Sequence, residues 1–507
     1  MRELESTNSG QGIKVKKYET LLVQIWQLLP QFCSSNSPRM SDCFMEVLKY
    51  LEPILNKDLL GLSNTALKTF STLISHCRNT KVVDEEIRKT RKGLQNIAMD
   101  YIQGLVALYT QDNQSPESAS AMETDETEHS KANQQKYISE AQSKILVTLQ
   151  DFASIAKTGK LSNLFLQSFA EVVQLKQNTA ESYKVLRNLD VLIAILEKVK
   201  LNKANQIVLM QGIKIFISDF KTKKKAYKLL ARIVEKYELE GGIQELLQVH
   251  QEVTPLVEGQ ATKPRLRLIG AYISQMKNFV ENNQDVSLDQ VQAVLRQYIV
   301  ELINAMTNTN LKIRALAEGI FSDICTMMRV KFNAVNQLLG IILVGLAGNK
   351  YQTQSSTIRS LIFTIKQNVR FSRHQVDENT ENLISVADPG FQAFLAKTCK
   401  IVAIFMKNRD TPHELARSVL QFLKIATNIL DEPILKNEGN VAKLMIDNLF
   451  HHKINQHVKK HKLIVRKILT RLIKRCGINF ITKQMPEFHR PMLAYIEKQK
   501  RKAENKK

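Results

Sequence analysis

His457 and His461 stand one helical turn apart, the spacing at which two imidazoles on one helix face share a metal ion. Lys459, Lys460 and Lys462 flank them and would repel a cation, so the pair reads as exposed histidines beside an anion-binding face. Other catalytic spacings fail at the residues that matter. Gly340 and Gly345 have P-loop spacing, but Leu346 and Ala347 follow where Lys and Ser/Thr must meet phosphate and magnesium. His413-Glu414 opens a zinc-protease-like string, and Arg417 takes the place of the second zinc-ligating histidine. There is no GxSxG elbow and no GxGxxG loop. No motif supports a catalytic residue, a metal or a cofactor, and the chain reads as non-enzymatic.

The chemistry that the sequence does carry is cationic. Lys and Arg number 72 against 49 Asp and Glu, a formal net charge of +23. The excess is concentrated at one end: from His451 to Lys507 there are 17 Lys and Arg and three acids, Glu487, Glu497 and Glu504. At about 100° per residue, Ile454, Val458, Val465, Ile468, Leu469 and Leu472 form one apolar stripe, with Lys459, Lys460, Arg466, Lys467, Arg471 and Lys474 opposite. The stripe would dock on preceding helices and leave the cations outward. Gly477 supplies the stop, with Lys474 and Arg475 complementing the helix dipole. Lys223, Lys224 and Lys225 open a second basic cluster. The stripe has no Trp or Phe anchor for a membrane surface, so nucleic acid is the favoured partner, held through phosphates and shape.

The elements that must position these residues are helices. Gly and Pro number 18 and 11, too few for the turns of a sandwich or barrel, and apolar residues recur at three- and four-residue spacing along nearly the whole chain. Four helical segments repeat a small residue followed at +4 and +7 by apolar ones: Ala66/Phe70/Leu73, Ala226/Leu230/Ile233, Ala317/Phe321/Ile324 and Ser418/Phe422/Ile425. Their intervals fall near multiples of the roughly 40 to 47 residues of HEAT or armadillo units. The expected fold is all-α, a HEAT/armadillo-like α-solenoid of stacked antiparallel helix pairs.

A flexible N-terminus is expected over 1–17, N-terminal repeats over 18–110, an acidic disordered loop over 111–136, central repeats over 137–450, and basic C-terminal helices and tail over 451–507. Trp26, between Leu22, Ile25 and Leu29 at helical spacing, reads as a core anchor. The longest apolar run, Leu338 to Gly348, is short of the ~18 to 20 residues that span a bilayer. The N-terminus lacks the apolar core of a signal peptide, and six scattered cysteines suit a reducing compartment.

Ile25 to Cys33, IWQLLPQFC, together with the series from Lys460 to Lys502, KHKLIVRKILTRLIKRCGINFITKQMPEFHRPMLAYIEKQKRK, resembles the ribosomal RNA-processing protein 12 family in its central-to-C-terminal repeat region. KKKAYKLLARI (Lys223 to Ile233) and KPRLRLIGAYI (Lys263 to Ile273) extend the resemblance colinearly. It implies a nucleolar and nuclear solenoid that associates with pre-ribosomal RNA, small-subunit precursor particles and ribosome assembly proteins. It further implies roles in small-subunit rRNA processing and in subunit export through the nuclear export machinery. No catalytic residue comes with it. Members are usually longer, with repeats before the Trp26 region and a charged tail after the basic helix. The competing reading is a karyopherin-like transport receptor or adaptor. Such receptors capture basic cargo on an acidic inner surface, and +23 points the other way.

Overall fold

A computed structural model describes residues 9–34, 46–47, 63–79, 85–110, 128–177, 182–237, 261–282, 286–374, 388–408, 410–436, 440–452 and 456–504. They form helices, with no strand among the described residues. The chain divides into two compact units, Met1–Lys236 and Tyr237–Lys507.

In the first unit α1 (Ser9–Ser34), α2 (Ser63–Asn79), α3 (Glu85–Thr110), α4 (Glu128–Ile155), α5 (Thr158–Gln177), α6 (Ser182–Ile195), α7 (Lys203–Ile217) and α8 (Lys223–Lys236) follow one another. α2, α4, α6 and α8 pack in succession as one layer, and α5 packs on α7 in the other. In the second unit the order is α9 (Thr262–Glu281), α10 (Leu288–Ala305), α11 (Leu311–Val330), α12 (Val335–Leu343), α13 (Tyr351–His374), α14 (Pro389–Ile404) and α15 (His413–Ile429). Then come α16 (Glu432–Lys436), α17 (Val441–Leu449), α18 (Gln456–Lys460), α19 (Lys462–Cys476), α20 (Ile478–Gln484) and α21 (Arg490–Glu504). Here α9, α11, α13, α15 and α19 stack as one layer, and α10, α12, α14, α17 and α20 as the other.

Each helix thus touches its counterpart one repeat away, which is the packing of a HEAT-like α-solenoid. Its partner in each pair runs antiparallel, because consecutive helices alternate between layers through short connections. All four small-residue motifs lie in the first-named layers, on α2, α8, α11 and α15. Ala66, Ala226, Ala317 and Ser418 are buried there with Phe70, Leu230, Phe321 and Phe422, and Ser418 Oγ lies 2.9 Å from Ser355 Oγ of α13, the neighbouring helix of its layer.

The repeat length is also written in polar contacts. Lys225 Nζ donates to Leu186 O and Arg232 Nη1 to Ile193 O, each across 39 residues. Gln275 donates to Tyr237 O across 38, Gln392 to Ile429 O across 37, and Arg475 to Leu430 O across 45. These acceptors are backbone carbonyls, several in the last turn of a helix or just beyond it, where no intrahelical donor remains. Part of the positive charge therefore closes the ends of neighbouring helices.

Three expectations need comment. Residues 111–127 of the acidic stretch lie outside the described residues, whereas α4 already begins at Glu128, so 128–136 is helical. Its sequence, EHSKANQQK, has no Gly or Pro and is rich in helix formers. α13 likewise continues to His374, although the polar composition of Phe371 to Pro389 predicts an exposed connection from Phe371 onward. Trp26 is only half-buried: α1 turns Pro30 and Cys33 inward, while Leu22 is 42% and Ile25 57% exposed. Trp26 nonetheless lies on the inward stripe, with Pro30 and Cys33 at i+4 and i+7, while Leu22 and Ile25, expected beside it, fall outside that stripe.

Candidate nucleic-acid interface

The terminal basic helix forms as its pattern dictates. Val458, Val465, Ile468, Leu469 and Leu472 are buried, and α19 uses that stripe to pack on α15; Ile454 lies outside the described residues. Gly477 ends the helix with φ +83° and donates its N–H to Ile473 O at 2.9 Å. A side chain at that φ would be strained, which is why glycine stands there. The expected single helix is broken at His461, which has φ −107° and ψ 30° and becomes the N-cap of α19.

The predicted cations divide into two sets. Lys459, Lys460, Lys467 and Lys474 are exposed, and no acidic partner is found for them among the described residues. The arginines are engaged within the protein. Arg466 lies over the Tyr495 ring of α21, its guanidinium carbon 4.3 Å from the centroid. Arg471 Nη1 donates to Lys424 O of α15. Arg475 donates to Leu430 O at 2.9 Å and Asn428 O at 2.8 Å and sits 3.7 Å from Asp431, closing the C-terminal end of α15. Planar guanidinium groups suit this task, since one head reaches two carbonyls at once. The second cluster is divided likewise: Lys224 is exposed, Lys223 Nζ lies 4.4 Å from the centre of the Phe220 ring, and Lys225 pairs with Asp190 and donates to Leu186 O.

Stacking adds cations that the helical wheel of one segment does not show. His413, Arg417 and Lys424 share a face of α15, and the parallel register sets them along α19: His413 against His461 at one end, Lys424 against Arg471 at the other. Burial first, and then the charges of Lys467, Arg471 and Lys366 of α13, hold the Lys424 ammonium below the ordinary lysine range. The only acid of α15, Glu414, is bound by Arg359 of α13 at 3.2 Å. Three consecutive repeats thus contribute to one basic seam, in which Lys366, Lys424 and Lys467 are collected from α13, α15 and α19. The signal available in sequence was the spacing of His413, Arg417 and Lys424 at i, i+4 and i+11, about one repeat before the terminal basic residues.

The described residues contain no group of three or more His, Cys, Asp or Glu side chains able to hold a metal ion. No described helix is long and apolar enough to cross a membrane. The surface can attract and position anions; its ammonium groups offer charge without the geometry for reading individual bases.

Residues 1–112 match the family described as Ribosomal RNA-processing protein 12, HEAT repeats. Ribosomal RNA-processing protein 12 of Saccharomyces cerevisiae is 20% identical over 527 aligned positions, covering 98% of this chain and 39% of the relative. The chain therefore spans about two fifths of the length of that protein. An engineered protein of known crystal structure aligns with 88% of this chain and 97% of its own at 11% identity and a TM-score of 0.31, a likeness too slight to bear on the fold. A repeat-family match at one end and a colinear relative along nearly the whole chain relate this protein to the ribosomal RNA-processing protein 12 family.

Proposed function

We propose that this chain is a non-enzymatic ribosome-biogenesis scaffold whose second unit holds pre-ribosomal RNA through phosphate contacts, acting in small-subunit rRNA processing and subunit export in the nucleolus and nucleus. The observation that carries the RNA reading is the outward row Lys459, Lys460, Lys467 and Lys474, fixed in direction by the buried stripe of α18 and α19. Lys366 and Lys424 continue the same sign of charge onto two further repeats. The ribosomal part of the reading is supported by the name of the yeast relative. Assembly proteins of the small-subunit precursor and the export machinery are the protein partners proposed on the same ground.

Phosphate recognition has a quantitative signature. Each neutralised phosphate releases counterions and adds roughly 0.7 to 0.9 to the slope of log affinity against log salt. Titrating unrelated single-stranded RNAs at several salt concentrations should give similar affinities and a slope of several units. Reversing Lys459, Lys467 and Lys474 to Glu should lower that slope by about two to three units for every RNA. An unchanged slope in a folded triple variant would refute the reading, and crosslinking in cells followed by sequencing of the attached RNA tests the ribosomal assignment.

A further inference from the structure

The upper end of the basic seam holds three histidines that the phosphate reading does not use. His413 is the first residue of α15 and His461 the N-cap of α19; their rings lie 4.6 Å apart at 41°. His457, on α18 one turn before His461, belongs to the same cluster, with Arg417 of α15 and Lys460. Glu414, beside His413, is taken up by Arg359 of α13. The remaining charges along the seam are Lys366 of α13, Lys424 of α15, and Lys467 and Arg471 of α19. Every group named here other than Glu414 is a cation or becomes one on protonation.

The helix starts add to this field. α15 begins at His413 and α19 just after His461, so the positive ends of their dipoles lie at the same corner. Loss of hydration first, then the charges of Lys460, His457 and Arg417, holds His413 below the ordinary histidine range. Loss of hydration, followed by His413, Arg417, His457 and Lys460, does the same for His461. Both rings are therefore neutral near pH 7 in the free protein.

We propose that the corner where α15 and α19 begin is a phosphodiester-binding site whose histidine pair, His413 and His461, takes up protons as RNA docks along the seam. The inference rests on the RNA reading above and deepens it. A phosphate placed against the N–H edges of the two rings supplies the negative charge that the corner lacks, offsets the neighbouring cations that disfavour protonation, and accepts hydrogen bonds from the imidazolium N–H groups that form. Binding and protonation are then linked: each proton taken up makes affinity rise by up to about tenfold per pH unit as the pH falls.

The test uses the full-length chain and an oligouridylate, whose bases do not titrate near neutrality. At fixed salt, affinity should rise about three- to tenfold per unit from pH 7.5 to pH 6, and calorimetry in two buffers of different ionisation enthalpy should show net proton uptake of about one. His413→Gln with His461→Gln should flatten the pH dependence and abolish the proton uptake, while the part of the salt slope set by Lys467 and Lys474 persists. His413→Gln alone, at an exposed position, should remove part of the pH dependence if the double variant is unstable. No proton uptake by the unmodified chain, or an undiminished pH dependence in folded variants, overturns the inference while leaving the RNA reading standing when Lys467 and Lys474 still set the salt slope. Failure to bind oligouridylate at all overturns both. Equal binding of an oligoglutamate of the same charge, with the same pH dependence, would transfer the corner to an acidic protein and overturn the assignment to RNA.

Discussion

Arg475 and Lys474 are neighbours in sequence, both cationic and both at the end of one helix, yet the structure gives them different work. Arg475 donates two hydrogen bonds to carbonyls at the end of α15, at 2.9 and 2.8 Å. Arg475→Met keeps the aliphatic stem and removes both. A hydrogen bond involving a charged group contributes about 1.5 to 3 kcal/mol when buried, and because this side chain is partly solvated and water can replace it, the two together are discounted to about 2 kcal/mol. At roughly 2 to 4 °C per kcal/mol for a folded unit of this size, Tm should fall by about 4 to 8 °C. Lys474→Met, at an exposed side chain without such partners, should stay within about 0.5 kcal/mol. Differential scanning calorimetry of the two variants, paired with RNA titrations over a salt series, separates the roles. Lys474→Met should reduce the salt slope by about 0.7 to 0.9 with little change in Tm, and Arg475→Met should do the reverse. If Arg475→Met leaves Tm unchanged and lowers the slope, the division of the basic residues into helix-closing arginines and phosphate-facing lysines is wrong.

Three further perturbations probe the scaffold. Lys236 Nζ donates to Leu196 O at 2.7 Å and to Glu197 O and Val199 O at 2.6 Å, so Lys236→Met leaves three carbonyls without that donor and should cost about 2 to 3 kcal/mol by urea titration. Gly212 is where α7 passes closest to α5: an added Cβ would lie 2.7 Å from the Phe169 ring, so Gly212→Ala should destabilise by about 1 to 3 kcal/mol despite its gain in helix propensity, measured by the same titration. Burial pushes the Cys325 thiol up to about 12 and the Cys399 thiol still higher, so neither should react with a thiol reagent at pH 8 until the second unit unfolds, with the labelled positions read by mass spectrometry.

The layer architecture was legible because the information that builds it is local. A small residue followed by apolar ones at +4 and +7 specifies a helix face that can meet another helix closely, and in each unit the two such faces lie on helices of one layer. The stripe of α19 and its stop at Gly477 were legible for the same reason, since the 3.6-residue period and a residue free to adopt positive φ are properties of the segment itself. The companions of Trp26 were not: on α1 several apolar residues compete for the inward position, and Pro30 and Cys33 take it while Leu22 and Ile25 do not.

The division among the cations was illegible for a deeper reason. On a helical wheel Arg471 and Lys467 both fall opposite the packing stripe, and nothing within the helix distinguishes them. What separates them is the neighbouring helix one repeat away, which offers Lys424 O to Arg471 and its end carbonyls Asn428 O and Leu430 O to Arg475, and receives no donor from Lys467 or Lys474. The same repeat spacing recurs at Lys225, Arg232 and Lys236, which all donate to carbonyls of the preceding repeat. A basic residue about 37 to 47 positions after the end of a helix in a repeat array is therefore first a candidate for closing that helix. Only the cations left over after that demand is met constitute a binding surface. On α19 the cations left over are lysines, which hold charge toward solvent on flexible stems, while Arg466, Arg471 and Arg475 are turned inward to the carbonyls and the Tyr495 ring; Arg417 of α15 joins the exposed set. On the proposed RNA reading, a +23 chain makes fewer phosphate contacts than its composition suggests, and the salt slope should count only the exposed cations of the seam.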